Sequence, residues 1–343
     1  MATLGLNIRT GGRALAVGVA ATLTLLAPSP LHAATHPSVN AYCPSNANTT
    51  NDTCYGNGAL ASEPSDELNS AFGANALQSN TTGSNNVAAG LNALSANTTG
   101  VDNVATGSGA LGSNVTGAYN TATGHIALRA NTVGAYNTGL GFSSLANITT
   151  GIENTATGAL ALAYSTASDN TASGALALYS DGTGAANAAF GAYALHDNSS
   201  GTNNTVVGYY AGVTANGANT NTTGSNNTFL GYESGPGTST QLNNATAIGA
   251  NALVSESNAL VLGAAGTNVG IGNTTPQSLL QIGAPSGSYG SYLQVPLVAS
   301  SALPPAGDCN STTAAGRLVV QDKGGKLTLW GCSATTGKWA IVK

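Results

Sequence analysis

Apolar residues return along this chain at a fixed interval. Leu77, Leu94, Leu111, Leu128, Leu145, Leu162, Leu178 and Leu195 form one series. Eight places before each stands an Asn, in the longer series Asn69, Asn86, Asn103, Asn120, Asn137, Asn154, Asn170, Asn187, Asn204, Asn227 and Asn244. The spacing is constant except for one slightly shorter step, Asn154 to Asn170, and one longer step, Asn204 to Asn227. Four places after each of the first ten comes a Gly, from Gly73 to Gly231, and a second Gly often follows, as at Gly83, Gly100 and Gly117. Between Asn and the first Gly lie short Thr, Val and Ala triplets. A unit of this length cannot bury a core alone, so the units must stack. Frequent Gly, Asn and Thr argue against helix. The pattern predicts a parallel β-solenoid of about eleven coils, each with two short strands and two turns. Stacked about 4.8 Å apart, they give a rod of about 50 Å.

Two positions of the first strand share a face, because side chains alternate along a strand. They read Ser70/Phe72, Val87/Ala89, Val104/Thr106, Thr121/Thr123, Thr138/Leu140, Thr155/Thr157, Thr171/Ser173, Ala188/Phe190, Thr205/Val207 and Thr228/Leu230. With the Leu series they are expected to line the interior. That stripe is thin and rich in Thr and Ala, so association of several chains is expected to supply the missing burial.

Units such as Asn120-Thr-Ala-Thr-Gly124, Asn154-Thr-Ala-Thr-Gly158 and Asn204-Thr-Val-Val-Gly208 resemble the head repeats of trimeric autotransporter adhesins, the YadA-like heads. Ala245 to Leu253 and Ser257 to Gly263 are the nearest match. The resemblance covers about two thirds of the chain. It implies a homotrimeric left-handed β-roll that mediates attachment to a host or matrix surface. Two departures stand out: the period here is longer than the family repeat, and Thr often replaces an inward Val or Ile. Asn268 to Gln281 also resembles the junction that follows such heads in bacterial surface proteins and phage tail fibres.

Around the repeats, composition adds a compartment. Residues 1–33 read as a secretory signal peptide: Arg9 and Arg13 lead, Ala14 to Ala27 is mostly apolar, and Leu31-His32-Ala33 offers a small-residue cleavage site. Residues 34–66, with Cys43 and Cys54, are expected to cap the first coil. Residues 67–272 hold the repeats, 273–316 a neck or linker, and 317–343 a small β module of three strands pinned by Cys309–Cys332. The four Cys of an exported chain suggest disulfides. Local pairing, Cys43–Cys54 and Cys309–Cys332, is favoured because the whole rod separates the two pairs. Trp330 and Trp339 are expected in the mini-core of the terminal module, with a carbohydrate platform as the alternative. The terminus lacks the alternating strands of an outer-membrane barrel, so export without an anchor of its own is expected.

Charge excludes other classes. The formal net charge is −5, and Arg129 is the only Lys or Arg between Ala34 and Ala315. Nucleic acid needs Lys and Arg to replace its counterions, so it is not an expected partner. His125 and His196 fall about 20 Å apart by coil stacking. Asp102, Asp169, Asp181 and Asp197 form no ladder, so neither catalysis, a cofactor nor a metal is expected. Gly263 to Gly272 lacks the Gly-Lys-Ser/Thr of a phosphate loop.

The expected function is therefore an exported, trimeric, adhesive rod on the outer face of a bacterial envelope. Tyr119, Tyr136, Tyr209, Tyr210 and Tyr232 are candidate contacts, and the excess chain around 215–221 is a surface loop. Two alternatives remain: a phage-type tail fibre, which the signal peptide disfavours, and an ice-binding solenoid. Thr121/Thr123 and Thr155/Thr157 suggest the latter. Leu140, Ser173 and Phe190 interrupt the array, and the resemblance places these positions inside.

Overall fold

The computed structural model describes residues 52–64, 67–214, 219–282, 297–299, 318–323, 326–333 and 338–342. The signal segment, Cys43 and Cys309 lie outside them, and with them one partner of each expected disulfide. The described chain is all-β and contains no helix. Eleven short strands follow in order: β1 Thr53–Tyr55, β2 Ser70–Phe72, β3 Val87–Ala89, β4 Val104–Thr106, β5 Thr121–Thr123, β6 Thr138–Leu140, β7 Thr155–Thr157, β8 Thr171–Ser173, β9 Ala188–Phe190, β10 Thr205–Val207 and β11 Thr228–Leu230. After β12 (Gly235–Pro236) come β13 (Thr246–Ile248), β14 (Leu253–Val254) and β15 (Leu260–Leu262). Strands β1 to β11, β13 and β15 form one parallel sheet of 13 strands, one per coil. At the strand spacing of about 4.8 Å the stack is roughly 58 Å long.

The coils begin one unit earlier than the Asn series. Strand β1 pairs in register with β2, Cys54 opposite Ala71, so the described part of the expected cap is itself a coil. At the other end, Thr246 rather than Ala245 faces Thr228. The step there is one place longer than the usual repeat. Ala245 takes the Asn position, and Asn244 falls just before it.

The coils carry one strand each, not the two expected, except those of β11 and β13, whose second strands β12 and β14 pair parallel with each other. In the coils of β1 to β10 three residues adopt the left-handed conformation, for example Asn75, Leu77 and Asn85 with φ of 59°, 51° and 58°. Such residues turn the backbone away from extension. The remaining backbone still bonds coil to coil: Leu77 N–H donates to Ala93 O at 3.0 Å and Ser79 N–H to Ser95 O at 3.1 Å. The Gly after each strand is required on two counts. Gly73 has φ 137°, and a Cβ there would collide with the carbonyl oxygen of Gly90.

The interior belongs to the middle residue of each strand. Ala71, Ala88, Ala105, Ala122 and Ala156 are fully buried, as is every Leu from Leu77 to Leu195 in the series above; Leu60 extends it one coil earlier. The flanking strand residues, expected inside, face outward or are half-exposed. Only one residue in three of so short a strand can point into the coil. The narrow lumen is filled by that small residue, the Leu of the turn and buried Asn side chains. Where the Leu series ends at Gly212, the ring of Phe229, at the centre of β11, lies against the vacated place.

Beyond the rod, β16 (Val269–Ile271) pairs parallel with β17 (Leu280–Ile282). A separate four-stranded sheet has the order β18 (Leu297–Ala299), β19 (Leu318–Lys323), β20 (Lys326–Cys332), β21 (Trp339–Ile341). The three strands expected in the terminal module are thus joined by a fourth from the expected neck. Trp339 packs against the buried Cys332.

Candidate binding surfaces and the buried polar ladders

The Asn that opens each coil works inside the rod. Asn86 N–H donates to Asn69 Oδ1 at 2.9 Å, Asn103 N–H to Asn86 Oδ1 at 3.0 Å, and Asn120 N–H to Asn103 Oδ1 at 3.0 Å. Each side-chain amide also donates to a carbonyl further along its coil, in most coils that of a Gly, as Asn86 Nδ2 does to Gly100 O at 2.8 Å; Asn154 uses Ala167 O and Asn227 uses Leu242 O. A buried amide thus satisfies backbone groups that a turn would otherwise orphan. The series ends when Asn227 Oδ1 accepts from Ala245 N–H at 2.8 Å.

A second ladder was not read from the sequence. Asn97 Nδ2 donates to Asn80 Oδ1 at 2.8 Å, Asn114 to Asn97 at 2.8 Å, and Asn131 to Asn114 at 2.7 Å. Ile148 and Ser165 occupy the next two places, and Asp181 and Asn198 follow, 0% exposed. The ladder is directional: each coil donates back to the one before. Its first member needs only acceptors, and an ionised carboxylate has nothing else. Glu63 opens the first segment, accepting from Asn69 at 2.6 Å and Asn80 at 3.1 Å. Asp181 opens the second, accepting from Asn198 at 2.7 Å and from Ser165 Oγ at 3.1 Å. Asn131 Oδ1 faces the break at Ile148 without a hydrogen bond. Burial pushes both carboxyls up to about 7; nearby Asp52 adds to this at Glu63, while the amide donors oppose it at both. A sequence signal existed: Asn80, Asn97, Asn114 and Asn131 recur at the same period as the opening Asn.

Outside, two surfaces stand out. The strand face presents two columns. One runs Thr121, Thr138, Thr155, Thr171 across four successive coils, in register. The other carries the exposed Phe72, Leu140, Phe190, Leu230, Ile248 and Leu262. The second surface is aromatic. Tyr119 and Tyr136 stack at 4.9 Å, one pair by themselves. Tyr209, Tyr210 and Tyr232 instead join a larger band with Tyr164, Tyr179, Tyr193 and His196. Tyr193 stacks on Tyr210 at 4.6 Å, Tyr209 on Tyr232 at 5.9 Å, and Tyr179 on His196 at 5.1 Å. Tyr209 meets Tyr210 edge-on at 4.7 Å. The four added rings were missed because they are spread over three places of the coil, only Tyr179 and His196 sharing one. His125 stays apart from His196 and stacks on Phe142 at 5.6 Å.

Among the described residues there is no group of three His, Cys, Asp or Glu placed to hold a metal ion, and no helix long and apolar enough to cross a membrane. No family model, curated protein or solved structure matches the chain.

Proposed function

We propose that this protein is an exported structural rod that assembles with two further copies of itself and attaches its bearer to a host or matrix surface, as the YadA-like resemblance of its repeats implies. The observation that carries the reading is the outward strand face. Along a sheet of 13 strands it sets Thr beside apolar side chains, with an unbroken apolar column through Phe190, Val207, Leu230, Ile248 and Leu262, and an extended apolar stripe of that kind marks an association surface. Repetition along the rod also favours attachment, because weak identical contacts sum. Light scattering of the mature protein tests the assembly: a mass three times that of the chain is expected, and a monomer at high concentration overturns it. Local disulfides Cys43–Cys54 and Cys309–Cys332 belong to the same reading.

One observation favours a second reading. The Thr pairs at 121/123 and 155/157 project outward, not inward as the resemblance implied. A flat Thr array with a strand-spaced repeat is a surface on which water can order, which suits an ice-binding rod. Thermal hysteresis of the purified protein decides it: a freezing-point gap supports ice binding, and its absence leaves the adhesive rod.

A further inference from the structure

The aromatic band spans five consecutive coils, from Tyr164 to Tyr232, about 19 Å along the rod at strand spacing. Beside it lies a shallow depression of about 280 Å³, lined by Tyr193, His196, Asp197, Tyr210, Thr214 and Glu233 together with the mostly buried Val213. It sits at the longest coil, the one that separates Asn204 from Asn227, so Val213 and Thr214 of that coil form one wall. The rings bring apolar faces and phenol groups. The carboxylates bring acceptors: Asp197 lies 2.6 Å from His196 Nδ1, and Glu233 holds a hydrogen bond with Tyr232 that raises the phenol pKa. Burial, then the neighbouring tyrosines and both carboxylates, raise Tyr210 as well. No Lys or Arg occurs in this part of the chain.

We propose that this depression and the adjoining tyrosine band bind a neutral oligosaccharide. The chemistry fits on both sides. A sugar ring offers an apolar C–H face to an aromatic ring and a rim of hydroxyls to acceptor-only carboxylates. The site is open to water, where a cation over a ring is weakly held, so an organic cation suits it less. An acidic saccharide would meet two carboxylates with no base to answer its charge. The inference rests on the adhesive reading of the rod and names the ligand class for one of its surfaces.

The test uses the full mature chain and titration calorimetry, with neutral cello-, malto-, xylo- and chito-oligosaccharides, oligogalacturonate and choline as probes. At least one neutral probe is expected to bind at submillimolar Kd. Tyr210→Asn and Tyr232→Ala are each expected to weaken it about tenfold or more, and Tyr119→Asn to leave it unchanged. These variants keep the fold, because Asn75 and Asn92 already stand in the left-handed place of Tyr210, Asn85 in that of Tyr119, and Ala192 and Ala250 in that of Tyr232; unchanged thermal melting verifies this. The proposal is overturned if no neutral probe binds, if only oligogalacturonate or choline binds, or if binding survives both substitutions in the band. Light scattering on the same samples separates the two readings. A trimer that ignores sugars sinks only the saccharide site, and a monomer that binds them sinks only the assembly.

Discussion

Coils 69–131 and coils 148–181 differ in one respect that separates two kinds of buried asparagine. In the first stretch both ladders run intact. In the second the opening Asn persists at Asn154 and Asn170, while its counterpart is replaced by Ile148, Ser165 and Asp181. The difference lies in what each amide holds. An opening Asn takes a backbone N–H of the next coil, which has no other acceptor. A second-ladder Asn bonds another side chain and shares its Gly carbonyl: Gly117 O accepts from Asn103 at 2.8 Å and from Asn114 at 2.9 Å. Losing the sharing partner leaves that carbonyl satisfied, so the rod tolerates Ile or Ser there.

This contrast can be attacked directly. The largest effect is expected from Asn103→Ala, which strands the buried N–H of Asn120 and the side-chain bonds on either side. A loss of about 3 kcal/mol or more is expected in urea unfolding, since each orphaned group costs roughly 1–3 kcal/mol. Asn114→Ala should lose clearly less, about 1–2 kcal/mol; equal losses in the two variants would erase the distinction drawn between the ladders.

The carboxylates that open each ladder segment give a pH signature. Asp181 and Glu63 have folded-state values raised to about 7, above those of the unfolded chain. Their contribution is therefore fully present below the ordinary carboxylate range and is lost as the pH rises toward 7. The melting temperature should fall between pH 4 and pH 7.5, and Asp181→Asn should flatten part of that fall. A profile unchanged by the substitution would mean that Asp181 is ionised throughout. The smallest effect is expected from Ile148→Asn. It removes apolar contacts and gives Asn131 Oδ1 a donor, so stability should change by no more than about 1 kcal/mol. Ile148→Ala, which offers no donor, should cost about 2 kcal/mol or more.

Much of the rod was legible in the sequence, because Leu, Asn and Gly recur at places where one conformation is needed. Gly73 and its equivalents cannot carry a side chain, and the Leu series marks the lumen. Orientation was less legible. The Thr and Val flanking each strand centre resemble interior residues in type, and only the narrowness of the coil, filled by Ala105 or Ala122, turns them outward. Periodicity by counting also misled at Asn244, where one extra place in the step moves the ladder to Ala245. The aromatic band was hidden because Tyr179 and Tyr193 sit at different places in their coils and are joined through His196 only when coils stack.

The one-way run of amides makes the rod a vector as well as a scaffold. Every interior unit offers an acceptor forward and a donor backward, so a whole repeat can be spliced into or out of the intact stretch without disturbing the joints on either side. Length becomes an adjustable quantity, while the two termini stay chemically distinct: an ionised carboxylate can begin such a column but cannot continue it.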